Sequence, residues 1–127
     1  MTKTTRRQTL QLFTAGAAFG LAPSLFTTAA RAEGKRIAMV VKNLGNSYFD
    51  ACAKGATEAA TEVGGFEIIY TAPTKATAEE QIAVIDALIA QKVDGIIVSS
   101  NDADALVPVG KKAMERGIKV ISFDSAI

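Results

Sequence analysis

Arg36-Ile-Ala-Met-Val-Val-Lys42 decides the fold. Five apolar residues run without interruption between two cations. Three short segments further along repeat the pattern: Phe66-Glu-Ile-Ile-Tyr70, Gly95-Ile-Ile-Val98 and Ile118-Lys-Val-Ile-Ser-Phe123. All are rich in β-branched residues, and three of the four are nearly continuous in apolar character instead of alternating. Strands read this way when both faces of their sheet are covered, as in a parallel sheet.

Three amphipathic stretches separate these runs. The first spans about Ser47 to Val63, with Phe49, Cys52, Ala56, Ala60 and Val63 at helical spacing. The second spans about Ala78 to Gln91, with Ala78, Ile82, Ile85 and Ile89 on one stripe, and Thr77 and Glu80 at capping-box spacing. The third spans about Ala105 to Arg116, with Gly117 as its stop and Pro108 in the first turn, where proline does least harm. Strand and helix alternating three times predict a doubly wound α/β domain with a parallel sheet. Right-handed crossovers then give three layers, αβα.

Residues 1–32 read as an export signal and not as part of this domain. Lys3, Arg6 and Arg7 form a basic start, an uncharged apolar stretch runs from Leu10 through Ala30, and Ala30-Arg31-Ala32 has the small-x-small form of a cleavage site. Arg6-Arg7 resembles a twin-arginine signal, although Thr9 stands where an aromatic residue is common; an ordinary secretory signal carrying two arginines is the alternative. The stretch is long enough to span a bilayer, but Gly16, Gly20 and Pro23 interrupt it. The reading places cleavage after about Ala32 and the mature protein outside the cytoplasm.

Residues 33–127 hold ten basic and thirteen acidic residues, a net charge of −3. That balance gives no electrostatic footprint for nucleic acid. One cysteine, Cys52, cannot form an internal disulfide, and its place on the apolar face of the first helix reads as core. With no histidine and a single cysteine, the common zinc patterns and Ser-His-Asp triads are excluded. Neither G-x-G-x-x-G nor G-x-x-x-x-G-K-[ST] occurs, so no metal or nucleotide cofactor is expected.

Ligands of open α/β sheets bind beyond the carboxyl ends of the strands. Those ends carry Lys42, Asn43, Asn46, Ser47, Tyr48 and Phe49 after the first strand and Thr71, Pro73 and Thr74 after the second. Ser99, Ser100, Asn101 and Asp102 follow the third, and Asp124 and Ser125 the fourth. Several have a plain structural reading. Asn46 or Ser47 caps the first helix, Asn101, Asp102 or Asp104 caps the third, and Asp124-Ser125 forms a turn or caps a following helix. Lys42 is harder to explain so, since a lysine closing an apolar strand must reach water or meet an acceptor. Core packing is the default for Phe49, while an aromatic ring in a polar mouth also suits the CH face of a sugar. A receiver domain would need an acidic pair after the first strand and an aspartate after the third. Lys42-Asn43 and Ser99-Ser100-Asn101 stand there instead.

In order along the chain, Ile37 to Asp50, Ile68 to Thr74, Glu80 to Ile85, Ile96 to Asn101 and Lys112 to Ser125 resemble the periplasmic sugar-binding proteins of ABC importers, which have the ribose-binding-protein (type I) fold. Val41-Lys-Asn-Leu-Gly45 and Ser122-Phe-Asp-Ser125 look closest to the rhamnose-binding and autoinducer-2-binding members. The resemblance implies a non-enzymatic, two-lobed receptor, monomeric when full length, that closes on one sugar and docks on a membrane permease. It also implies that Lys42 and Asp124 contact ligand hydroxyls, that Phe49 lines or stacks on the ring, and that Asn43 and Asn101 are secondary polar contacts. Residues 33–127 are then expected to be a truncated N-terminal lobe, with the C-terminal lobe absent. A transcription repressor's sugar-sensing core shares this fold but requires a helix-turn-helix where the export signal stands. An exported enzyme lacks both histidine and a phosphate loop.

Overall fold

The computed structural model describes residues 34–127; the expected export signal lies outside them. Four strands, β1 (Lys35–Val40), β2 (Phe66–Thr71), β3 (Gly95–Val98) and β4 (Lys119–Ser122), alternate with three helices, α1 (Ser47–Val63), α2 (Ala78–Ala90) and α3 (Ala103–Glu115). The sheet has the order β2-β1-β3-β4 and every pairing is parallel. This is the doubly wound α/β arrangement that the alternation of runs predicts.

The apolar continuity of β1 follows from its central place. Ala38 and Val40 face the core that α2 and α3 build with Ile85, Leu88, Ile96, Val98, Leu106 and Val109. Met39 and Val41 face the opposite core, closed by Phe49 and Ala53 of α1. Consecutive side chains of a strand point to opposite faces, so a strand covered on both sides is apolar at every position. β4 lies at the edge and differs: Ile121 stays 61% exposed, because the first helix packs chiefly on β2.

Local signals explain most boundaries. Asn46 caps α1 by accepting from the Tyr48 amide at 3.0 Å, and Asp102 caps α3 by accepting from the Ala105 amide at 2.9 Å. At α2, Thr77 accepts from the Glu80 amide at 3.4 Å, but the capping box is only half made. Glu80 accepts from the Lys75 amide at 2.8 Å, and the Thr77 amide donates to Lys75 instead. Gly117, at φ 82°, ends α3 in a Schellman turn: the Gly117 amide donates to Met114 and the Ile118 amide to Ala113.

Two boundaries correct the sequence reading. The third helix begins at Ala103, two residues before the predicted start, because Asp102 is the cap. Pro108 therefore lies inside the helix and not in its first turn. Ile118, read as the opening of the last strand, is instead held in the turn that ends α3.

Candidate functional site

The strand order reverses between β1 and β3, since β1 continues outward to β2 and β3 to β4. The crevice beyond the carboxyl ends at such a switch point is where doubly wound sheets bind ligands. The register aligns Val40 with Thr71 on one side and Val98 on the other, and Val98 with Ser122. Lys42, Ser99 and Asp124 follow these positions within two residues and therefore emerge together.

Lys42 and Asp124 form an ion pair, Nζ to Oδ2 at 3.2 Å, with side chains about one-third exposed (33% and 31%). Lys42 Nζ also donates to Ser125 Oγ at 2.6 Å. Asp124 Oδ2 accepts from Ser99 Oγ at 2.8 Å and from Ser125 Oγ at 3.3 Å. The Ser99 hydrogen bond foremost, then the Lys42 ammonium, hold the Asp124 carboxyl below its usual range. Among the described residues no hydrogen bond uses Asp124 Oδ1, and Lys42 has a third N–H to give. The couple is neutral overall, yet it offers one acceptor and one donor side by side.

Backbone geometry aims this carboxylate. Asp124 has φ 60°, in the left-handed region that a non-glycine residue occupies at a cost of about 1–2 kcal/mol. Phe123 and Ser125 bridge across it, and the turn is tied to β3 because the Ser100 amide and hydroxyl donate to Ser125 and Ala126. Strained residues of this kind persist where surrounding contacts fix them, often at binding sites.

Of the sequence-predicted residues, the structure brings Lys42, Asn101 and Asp124 together. Asn101 Nδ2 reaches the Lys42 carbonyl at 3.5 Å. Asn43 is exposed, and its side chain donates only to the neighbouring Leu44 carbonyl at 3.3 Å. Phe49 is 3% exposed and lies beneath the edge, edge-on to Phe123 at 6.2 Å and to Tyr48 at 5.3 Å between ring centres. Tyr48 and Leu44, both more than half exposed, stand at the rim. The Cys52 side chain foremost, then burial, and least Asp124, push the Tyr48 phenol up. Among the described residues no cluster of three or more His, Cys, Asp or Glu side chains could hold a metal.

Two residues were missed as part of this arrangement. Ser99 was read only as a polar strand end, yet it is fully buried and orients Asp124. Gln81 was not read as functional at all. It is fully buried on α2 and reaches the backbone of both central strands. Its signal was present in the sequence, as an amide on the same helix stripe as Ala78, Ile82 and Ile85.

Comparison with known proteins agrees with this fold. Residues 37–127 match the periplasmic binding protein domain, and the chain belongs to that family. It is 35% identical over 95 residues to the D-ribose/D-allose-binding protein of Pseudomonas aeruginosa, covering 73% of this chain and 30% of that protein. An ABC transporter solute-binding protein from Clostridium phytofermentas with bound L-rhamnose is 39% identical at a TM-score of 0.67, over 73% of this chain and 29% of that one. LsrB from Clostridium saccharobutylicum in complex with AI-2 is 29% identical at a TM-score of 0.69, over 72% and 28%. The chain thus spans about 30% of the length of the curated relative it matches. These relatives are solute-binding proteins, and their ligands differ.

Proposed function

We propose that this chain forms the amino-terminal ligand-binding lobe of a periplasmic solute-binding protein that captures a monosaccharide and delivers it to the permease of an ABC importer. The observation that carries this reading is the neutral Lys42–Asp124 couple at the switch point, with a free carboxylate oxygen beside a free ammonium hydrogen. A sugar hydroxyl is both donor and acceptor, so one hydroxyl satisfies both groups, and charge-assisted hydrogen bonds of this kind are the strong ones. An anionic ligand would meet the carboxylate, and an apolar one would leave the remaining carboxylate oxygen and ammonium hydrogen without a partner. Asn101 and Asn43 supply secondary polar contacts, and Phe49 forms the floor.

A rhamnose-like deoxyhexose is the favoured ligand, supported by the L-rhamnose-bound relative at 39% identity. The furanone signal autoinducer-2 is the second reading, supported by the AI-2-bound relative of similar TM-score. Export through the signal at residues 1–32, of twin-arginine type, completes the proposal, with a mature terminus near Glu33.

Calorimetry on the complete gene product tests it. L-Rhamnose is expected to bind, and Asp124→Ala to abolish the heat while leaving the fold intact. Preference for autoinducer-2 over rhamnose selects the second reading, and no heat with either ligand or any other monosaccharide refutes both.

A further inference from the structure

The ladder between β1 and β3 closes with the Ser99 amide donating to Val40 at 2.9 Å, and that between β1 and β2 with the Val41 amide donating to Thr71 at 3.0 Å. Beyond these bonds the two central strands share no further backbone hydrogen bond among the described residues, and three backbone groups there have no partner in the sheet. The Gln81 side chain takes all three. Its Nε2 donates to the Ser99 carbonyl at 2.8 Å and to the Val41 carbonyl at 3.3 Å, and its Oε1 accepts from the Asn101 amide at 2.8 Å. The amide is fully buried, and among the described residues no buried side-chain polar atom lacks a partner.

We infer that Gln81 is a positioning residue for the binding site, setting the separation of the two strand ends so that Lys42, Asn101 and Asp124 meet. Each group it holds is adjacent to one that acts. Val41 precedes Lys42, Ser99 carries the hydroxyl that orients Asp124, and Asn101 reaches the Lys42 carbonyl. A glutamine suits the place because its planar amide presents two donors and an acceptor on a short lever. An apolar residue of equal volume would fill the space but leave three backbone groups unpaired, the expensive way to lose a hydrogen bond. This inference rests on the binding reading above for its consequence, but not for its geometry.

The test compares Gln81→Met, which keeps the volume, with Gln81→Glu. A buried glutamate protonates and presents one donor and one acceptor. In the 127-residue chain, NMR follows hydrogen exchange at the Asn101 amide and titration of the Asp124 carboxyl. Gln81→Met is expected to speed Asn101 exchange by about tenfold or more, as loss of a buried acceptor implies, and to move the Asp124 titration up toward the ordinary carboxylate range. Gln81→Glu is expected to restore both substantially. In the complete gene product, L-rhamnose affinity is expected to fall about tenfold in Gln81→Met and to recover in Gln81→Glu. A Gln81→Met variant that loses stability yet keeps the wild-type Asp124 titration and Asn101 exchange overturns the inference. Should Gln81→Met fail to fold, Gln81→Asn decides, since it keeps the amide but shortens the lever by one methylene: faster Asn101 exchange with a raised Asp124 titration supports the inference, and wild-type values of both overturn it. If the wild type binds no sugar, the binding reading falls, while the two NMR measurements still decide the role of Gln81.

Discussion

Truncating Phe49 tests whether the proposed floor of the site is a keystone of the domain. The ring is 3% exposed and joins Met39, Val41 and Ala53 in the core beneath α1. It also meets Phe123 edge-on, and Phe123 immediately precedes Asp124. Replacing a buried phenylalanine by alanine costs about 3–5 kcal/mol through lost transfer energy and the cavity left behind. The edge-on aromatic contact, worth about 0.5–1.5 kcal/mol, is lost within that total. For a domain whose whole stability is on the order of 5–15 kcal/mol, this is a large fraction. Phe49→Leu keeps most of the apolar area and should cost less than about 2 kcal/mol. Equilibrium urea unfolding, followed by far-ultraviolet circular dichroism, measures both. Sugar affinity in the complete gene product then separates a floor from a stacking partner: a floor tolerates leucine, whereas a ring stacked on sugar does not. A loss below about 1 kcal/mol for Phe49→Ala would refute the packing argument, because that is the range of an ordinary substitution.

Asp124 is held ionised in the fold, so its folded titration lies below its unfolded one. Its stabilising contribution is present above the unfolded value and is lost as pH falls through the folded value; carbon-detected NMR should show it ionised through mild acid, and titration at or above the ordinary range would contradict the Ser99 and Lys42 contacts. Tyr70 is pushed up to about 12 by burial first and by donation to Asp50 at 2.9 Å. Its contribution is complete below the unfolded value near 10 and is lost as pH rises toward 12, which ultraviolet titration of the phenol measures. Pro108→Ala at an exposed helix-interior position should stabilise the domain by about 1–3 kcal/mol in thermal unfolding, since it restores an amide donor toward Asp104. Lys92 sits at φ 55° in the same Schellman turn that Gly117 makes after α3, so Lys92→Gly should raise stability by about 0.5–1 kcal/mol, less than the left-handed penalty because glycine loses more entropy on folding.

The elements were legible because each rests on local chemistry. Continuous β-branched runs marked strands covered on both faces, and Asn46, Thr77, Asp102 and Gly117 punctuated the helices through hydrogen bonds reaching only a few residues. Where several caps competed locally, as Asn101, Asp102 and Asp104 did, sequence alone left the start of α3 open and misplaced Pro108. Lys42 was also legible, since a charge that closes an apolar strand at the ligand edge of a doubly wound sheet has few structural uses; Asp124, which reads equally well as a turn residue, was singled out only by the family resemblance. The parallel α/β architecture, the sheet edge that carries the candidate site and the family to which the chain belongs were therefore legible in the residues alone. Folding alone revealed that Ser99 hydrogen-bonds Asp124 across 25 residues, that Gln81 ties the two central strand ends, and that Asn43 stands apart from the ion pair. Those facts depend on strand order and register, which bring distant backbone groups within hydrogen-bonding distance, and no periodicity within a single segment encodes that meeting.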